Sequence, residues 1–262
     1  MLKNIKLFLL DMDGTIYLDD DLFDGTLDFL EYVKEIGGRY FFLTNNSSKS
    51  VDKYVEKLAK LGISATTEDF LTSTNATVLY LQEKKYHKIY ALGTASFKEQ
   101  LIAGGLPITD KLEDDIDCLC MGFDTELTFQ KLEDACILLN NGVDYIATNP
   151  DWVCPTWYGY VPDCGSVSQM LFNATKRMPK FIGKPEPIMA ILAMEQAGFT
   201  PGETAVIGDR LYTDIACGVN AGIHSIFVLS GEGTMEDVEK SDVKPEYIFE
   251  NIKALYHRLK SE

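Results

Sequence analysis

The sequence predicts an open, mostly parallel α/β sheet with helices on both faces, interrupted in mid-chain by a second, smaller α/β unit. Three observations carry this. Short apolar runs alternate with helical patterns almost from end to end, the β-α-β grammar of parallel strands joined by right-handed crossovers. The polar residues able to do chemistry gather where apolar runs end, at Asp11, Thr44 and Asp209, and ligands of open α/β sheets bind beyond the carboxyl ends of strands. Between about residues 80 and 179 the alternation becomes self-contained. We therefore expect a core of 1–79 and 180–262 and an inserted α/β domain of 80–179.

The elements follow in order. "IKLFLLD" reads as a buried strand, apolar on both faces and stopped by polar residues. "TLDFLEYVKEIGG" reads as a helix with Leu27, Leu30, Val33 and Ile36 on one stripe and Gly37-Gly38 as its stop. "RYFFLTNNSS" is a second strand, and "SVDKYVEKLAKLGI" a helix whose N-cap is Ser48 or Ser50. "FLTSTNATVLYLQEK" begins a third unit. In the insert, "KIYALGT", "IDCLCMGFD" and "DYIATNPD" read as strands and "TFQKLEDACILLNNG" as a helix. The stretch from Asn149 to Ser166 is turn-rich and aromatic, unlike a simple strand or helix. Late in the chain, helix "EPIMAILAMEQAG" leads to strand "TAVIGD", and helix-like "TDIACGVNAG" leads to strand "HSIFVLSG".

Composition narrows the function. The 262 residues are 46% hydrophobic and 24% charged, with 40 acidic against 24 basic residues and a net charge of −16. A nucleic-acid backbone or an anionic membrane would be repelled by such a chain; a small anionic substrate would not be, where a metal ion and a lysine reverse the sign locally. The Leu7–Leu10 run ends after four residues at Asp11, short of the roughly 7–15 of a secretory core or the roughly 20 of a membrane span. The six cysteines form no CxxC pair, which fits reduced, buried thiols in the cytoplasm. His87, His224 and His257 lie outside every motif and read as structural or surface groups.

The chemistry begins at "FLLDMDGTIY". Two carboxylates one residue apart at a strand end repel each other, which opposes folding unless a cation or catalytic work compensates them. Asp11 and Asp13 are followed by "LTNNS", with Thr44, Asn45 and Asn46, then by "GKPEP", with Lys184, and "GDRLYTD", with Asp209 and Asp214. A single DxD is a weak signal. Four such motifs in this order, each at a strand end or beside a helix start, resemble the haloacid dehalogenase superfamily of phosphotransferases over 1–79 and 180–262. The insert, with "ATNPDWVCPTWYGYVPDCGS", looks like the cap of the NagD-like branch, subclass IIA, which includes p-nitrophenyl phosphatases. "VPDCGS" departs from the more glycine-rich stretch of many members, which bears on specificity and not on reaction type.

The resemblance implies a Mg²⁺-dependent phosphomonoesterase of small phosphorylated metabolites, with a Rossmann-like core and a cap. It makes Asp11 the nucleophile that forms an aspartyl-phosphate. It makes Asp13 the general acid and base, which demands a carboxyl able to carry a proton near neutrality. Asp11 and Asp209 would give side-chain oxygens to the metal, Asp13 its backbone carbonyl, and Asp214 would hold metal-bound water from one shell out. Thr44, Asn45 and Lys184 would meet phosphoryl oxygens; Asn46 is either a turn residue or a further contact. Gly14 permits the turn after Asp13 and Thr15 helps fix it. Trp152, Trp157, Tyr158 and Tyr160 form either an aromatic specificity wall or ordinary packing. A phosphomutase, or a phosphate-binding regulatory module without catalysis, are the alternatives. The expected state is monomer or homodimer.

Overall fold

A computed structural model describes residues 2–156 and 158–261, so Trp157 lies outside the described residues. The chain divides into two compact units, one of Met1–Thr44, Asp52–Leu71 and Lys184–Glu262, the other of Asn45–Val51 and Thr72–Gly183. Residue 80, where the sequence suggests a boundary, lies inside the helix Ser73–Lys84.

The first unit is built on a sheet that, among the described residues, runs Tyr247–Phe249, His224–Val228, Thr204–Gly208, Leu7–Leu10, Arg39–Thr44, Phe70–Thr72. Leu7–Leu10 is buried throughout and pairs in parallel with Thr204–Gly208 on one side and Arg39–Thr44 on the other. Register places Leu10 opposite both Ile207 and Phe42. Asp11, Thr44 and Asp209 therefore leave the sheet at one edge. The chain passes to opposite sides of the first strand here, the switch point at which such sheets open a crevice.

Helix Thr26–Glu35 buries Thr26, Phe29, Leu30 and Val33, while Leu27 is 47% exposed. The expected stripe is thus shifted. The Thr26 hydroxyl donates to the Ile16 carbonyl at 3.1 Å, which turns the first helical turn inward at positions 26 and 29. Phe29 meets Phe8 edge to face at 5.2 Å, a favoured aromatic geometry. Helix Val51–Lys60 starts directly after Ser50; the Ser48 hydroxyl instead donates to Asn46 Oδ1 at 2.7 Å.

The second unit has its own parallel sheet, in the order Lys180–Phe181, Asp144–Ala147, Cys118–Met121, Ile89–Leu92, Ile108–Thr109. Leu119, Met121, Leu138, Tyr145 and Leu171 pack in its core. The stretch expected to be irregular holds an antiparallel hairpin, Val153–Thr156 with Gly159–Pro162, followed by helix Cys164–Thr175. Tyr158 and Tyr160 are exposed, so the hairpin lacks the apolar alternation that marks a strand in sequence. Among the described residues none of the six cysteines forms a disulfide, and burial pushes the Cys118, Cys120, Cys164 and Cys217 thiols up, away from the reactive thiolate. No helix among the described residues is long and apolar enough to cross a membrane.

Candidate active site

In the first unit, Asp11, Asp209 and Asp214 bring carboxylate oxygens within 4.8 Å of one another. Lys184 is 2% exposed, and its Nζ lies 2.6 Å from Asp11 Oδ1 and 2.7 Å from Asp214 Oδ1. It also donates to the Leu43 carbonyl at 3.3 Å. Burial opposes charge on Lys184, but Asp11 and Asp214 more than offset it and hold its pKa above the ordinary lysine value. Lys184 sits just ahead of helix Ile188–Ala197, whose N-cap is Pro187.

Each carboxylate is held differently. Asp214 lies on a π-helical turn, Leu211–Ile215, in which the Ile215 amide reaches back five residues to the Arg210 carbonyl at 3.2 Å. Its Oδ2 accepts from the Arg210 amide at 3.0 Å, so both its oxygens are engaged, one by that amide and one by Lys184. Wider turns of this kind recur at functional sites because they re-aim a side chain. Asp209 Oδ2 accepts from the Glu232 amide at 2.7 Å, while its Oδ1 is buried with no hydrogen-bond partner. Burial first, then Asp214, pushes the Asp209 carboxyl up to about 6. Burial also raises Asp11 above the usual carboxylate range, against the pull of Lys184.

Glycines close in around this cluster. A Cβ on Gly231 or Gly14 would collide with the Asp209 carboxylate, and one on Gly208 with Asp214. Gly14 has φ +87°, so it meets two demands at once, a left-handed turn and close approach. That turn is fixed by backbone bonds, Gly14 N to Tyr17 O at 2.8 Å and Thr15 N to Met12 O at 3.1 Å. Thr15 thus helps fix the turn through its amide, while its hydroxyl is buried without a hydrogen-bond partner.

Three clustered carboxylates with one lysine leave an excess of negative charge, and the orphaned Asp209 Oδ1 is a buried acceptor in need of a cation. The all-oxygen donor set suits a hard divalent ion. Asp13 stands outside this cluster. Its side chain is 47% exposed, and it takes a hydrogen bond from the Tyr17 hydroxyl at 3.3 Å.

Thr44 ends its strand in the first unit and is buried. Asn45 and Asn46 fall in the second unit. Asn45 Nδ2 donates to Asp151 Oδ2 at 2.7 Å, and Asn149 Nδ2 donates to the same oxygen at 2.8 Å. Asn149 also donates to Asp163 Oδ1 at 3.2 Å. Asn45, Asn149, Asp151 and Asp163 are all buried. The sequence reading missed this network, whose only trace was the polar density of "TNPD". Asn46 Oδ1 accepts from the Ser48 amide and hydroxyl at 3.0 and 2.7 Å, an Asx turn.

Residues 8–107 match the family described as haloacid dehalogenase-like hydrolase, and 181–255 match a second described as HAD-hydrolase-like. An acid sugar phosphatase of Staphylococcus aureus is 36% identical over 252 residues, covering 96% of each chain. The crystal structure of a 4-nitrophenylphosphatase from Thermotoga maritima is 42% identical, covers 98% of both chains and superposes with a TM-score of 0.93. A glycerol phosphate phosphatase of Mycobacterium tuberculosis, solved with magnesium and with calcium, is 29% identical with a TM-score of 0.90. That match covers 97% of this chain and 77% of the other in the magnesium complex.

Proposed function

The chain belongs to the haloacid dehalogenase-like hydrolases, in their NagD-like, p-nitrophenyl phosphatase branch, and is a phosphatase; from that premise we propose that it is a Mg²⁺-dependent phosphomonoesterase of small phosphorylated metabolites, sugar phosphates among them, working through an aspartyl-phosphate on Asp11. The observation that carries this reading is the buried group in which one lysine faces both Asp11 and Asp214 beside the unpartnered Asp209 oxygen. A pure binding site would need the cations and not a carboxylate aimed at the anion.

Asp11, Asp209 and the Asp13 backbone carbonyl would hold the ion, and a related phosphatase solved with magnesium supports the choice of metal. Bound there, Mg²⁺ would neutralise charge between the attacking carboxylate and the phosphoryl group. The protein's own groups do the rest. Asp11 attacks phosphorus, and the bond to the leaving oxygen breaks as Asp13 gives that oxygen a proton. Asp13, now anionic, takes a proton from water, whose oxygen displaces Asp11 from phosphorus. Lys184 fixes the direction of Asp11 and stays cationic against the charge that builds on the phosphoryl oxygens. Asp214 holds Lys184 in place. Thr44 is assigned to phosphoryl oxygens, Asn45 to its bond with Asp151, and Asn46 to its turn.

Release of inorganic phosphate from p-nitrophenyl phosphate and from a panel of sugar phosphates tests the activity and separates hydrolysis from return of the group to substrate. Rapid acid quench with ³²P-labelled substrate tests the intermediate. Label should remain on the peptide that carries Asp11, and a fully active Asp11→Asn enzyme would reject the mechanism.

A further inference from the structure

Asp13 sits in a clamp of its own within the first unit. The Tyr17 hydroxyl donates to Asp13 Oδ2 at 3.3 Å, and Lys57 Nζ lies 3.7 Å from Asp13 Oδ1. Lys57 also stands 3.9 Å above the centroid of the Tyr17 ring, a cation–π distance that locates the ammonium as well as attracting it. The three groups therefore close a triangle, each touching the other two. Tyr17 is fully buried and opens the small ribbon Tyr17–Leu18 with Asp21–Leu22. Lys57 comes from helix Val51–Lys60. A backbone bridge joins Asp13 to Tyr17 across the intervening turn.

The ion pair itself contributes little to folding. Asp13 and Lys57 side chains are 47% and 29% exposed, and pairs so open to water are worth little. What the arrangement does is restrict rotation of a half-exposed carboxyl, with a donor at one oxygen and a cation at the other. An acid that becomes a base within one turnover must present its carboxyl first to the leaving oxygen and then to water, so misplacement costs both steps.

We infer that Tyr17 and Lys57 are positioning residues for the proton transfers at Asp13, holding its carboxyl in the orientation that serves both halves of the reaction. The inference rests on the reading of Asp13 as general acid and base. In the first half the Asp13 O–H bond breaks and the leaving oxygen gains that proton as its bond to phosphorus is lost. In the second half a water O–H bond breaks, Asp13 regains a proton, and the hydroxide oxygen bonds to phosphorus as Asp11 leaves. Lys57 faces the carboxyl through both changes of charge, and Tyr17 keeps its proton and only donates.

The test uses two leaving groups. Nitrophenolate departs near neutral pH without help, whereas the alkoxide of a sugar needs a proton. kcat/KM reports events up to phosphoryl transfer, so it isolates the acid step, while hydrolysis of the aspartyl-phosphate is common to both substrates. With full-length Mg²⁺-loaded enzyme, Tyr17→Phe and Lys57→Met should each lower kcat/KM for a sugar phosphate by about tenfold or more, within the range general acid catalysis spans. The same variants should change kcat/KM for p-nitrophenyl phosphate by less than about threefold. Lys57→Arg should restore most of the sugar phosphate rate. Asp13→Asn is the reference. If Asp13→Asn shows the split between substrates and the two variants do not, the clamp is rejected and the role of Asp13 stands. If Asp13→Asn loses both substrates equally, the reading of Asp13 falls and the clamp with it. An equal loss in Tyr17→Phe and Lys57→Met, tracked against their melting temperatures, would show packing and not positioning.

Discussion

Lys184 Nζ lies 2.6 Å from Asp11 Oδ1, a contact between residues 173 positions apart that joins the first strand to the return of the chain from the second unit. At 3% side-chain exposure for the lysine and 16% for the aspartate, the pair is largely shut off from water, so the carboxylate depends on the lysine, whereas the lysine also has Asp214.

Replacing Lys184 with Met should therefore damage both stability and turnover. Asp11 and Asp214 would face each other without a cation in a buried site, at a cost of about 3–5 kcal/mol. Denaturant titration measures that loss. Activity should fall on all phosphomonoesters together, with substrate ranking intact, because the lysine serves the group they share.

Asp11→Asn keeps the shape and removes the attacking charge. Turnover should drop by roughly 10⁴-fold or more, as for other covalent nucleophiles, while circular dichroism and the melting transition stay near wild type. Steady-state phosphate release checks the first and thermal melts the second.

Metal and pH should act through Asp209. Its folded carboxyl, pushed to about 6 from an ordinary 3.8, binds a proton more tightly than the unfolded chain does. Its contribution to stability is thus fully present below about pH 3.8 and is lost as pH rises through about 6. In EDTA, Asp209→Asn should be more stable than wild type at pH 7.5, and the gap should close toward pH 4.5. Adding Mg²⁺ at pH 7.5 should raise the melting temperature of wild type and not of the variant. EDTA should abolish phosphate release and Mg²⁺ restore it. A wild-type melting curve indifferent to Mg²⁺ would count against Asp209 as a ligand.

Residues of the second unit should separate into two kinds. Trp152 and Tyr158 are 50% and 63% exposed, and Trp152→Ala or Tyr158→Ala should leave the melting temperature near wild type and the metal requirement unchanged. Asp163 is buried and caps helix Cys164–Thr175 by accepting from the Cys164 amide. Asp163→Ala should instead cost about 1–3 kcal/mol of stability. Melting temperatures of the three variants distinguish the two outcomes; an unchanged melting temperature for Asp163→Ala would reverse the assignment.

Much of the first unit was legible because its signals are local. A four-residue apolar run ending in DxD marks its strand and its acids within ten residues, and "GKPEP" and "GDRLYTD" do the same for Lys184 and Asp209. What escaped was set by contacts distant in sequence or by faces that periodicity cannot rank. Leu27 and Phe29 both fit a helical stripe, and contacts remote in sequence, Thr26 with Ile16 and Phe29 with Phe8, go with Phe29 in the core. Asn45 and Asp151 are 106 positions apart, and no pattern in either neighbourhood announces the bond. The π turn under Asp214 keeps helical spacing to within one residue, so "TDIACGVNAG" reads as helix while its first turn is wider. Tyr17 and Lys57 belong to a ribbon and a helix that each look ordinary alone.

Pairing of Leu7 with Thr204 on one side and with Arg39 on the other also dictates an order of events during synthesis. As the chain leaves the ribosome, Arg39–Thr44 is soon at hand, but the other flank of the central strand stays bare until Thr204 has been made. A naked parallel edge invites sticking to other nascent chains, and such long-range pairings form slowly. Thr72–Gly183, by contrast, is one continuous stretch that supplies nearly all of the second unit and can fold while the first waits. During translation the whole of Thr72–Gly183 is therefore available before the central strand has the partner for its second flank.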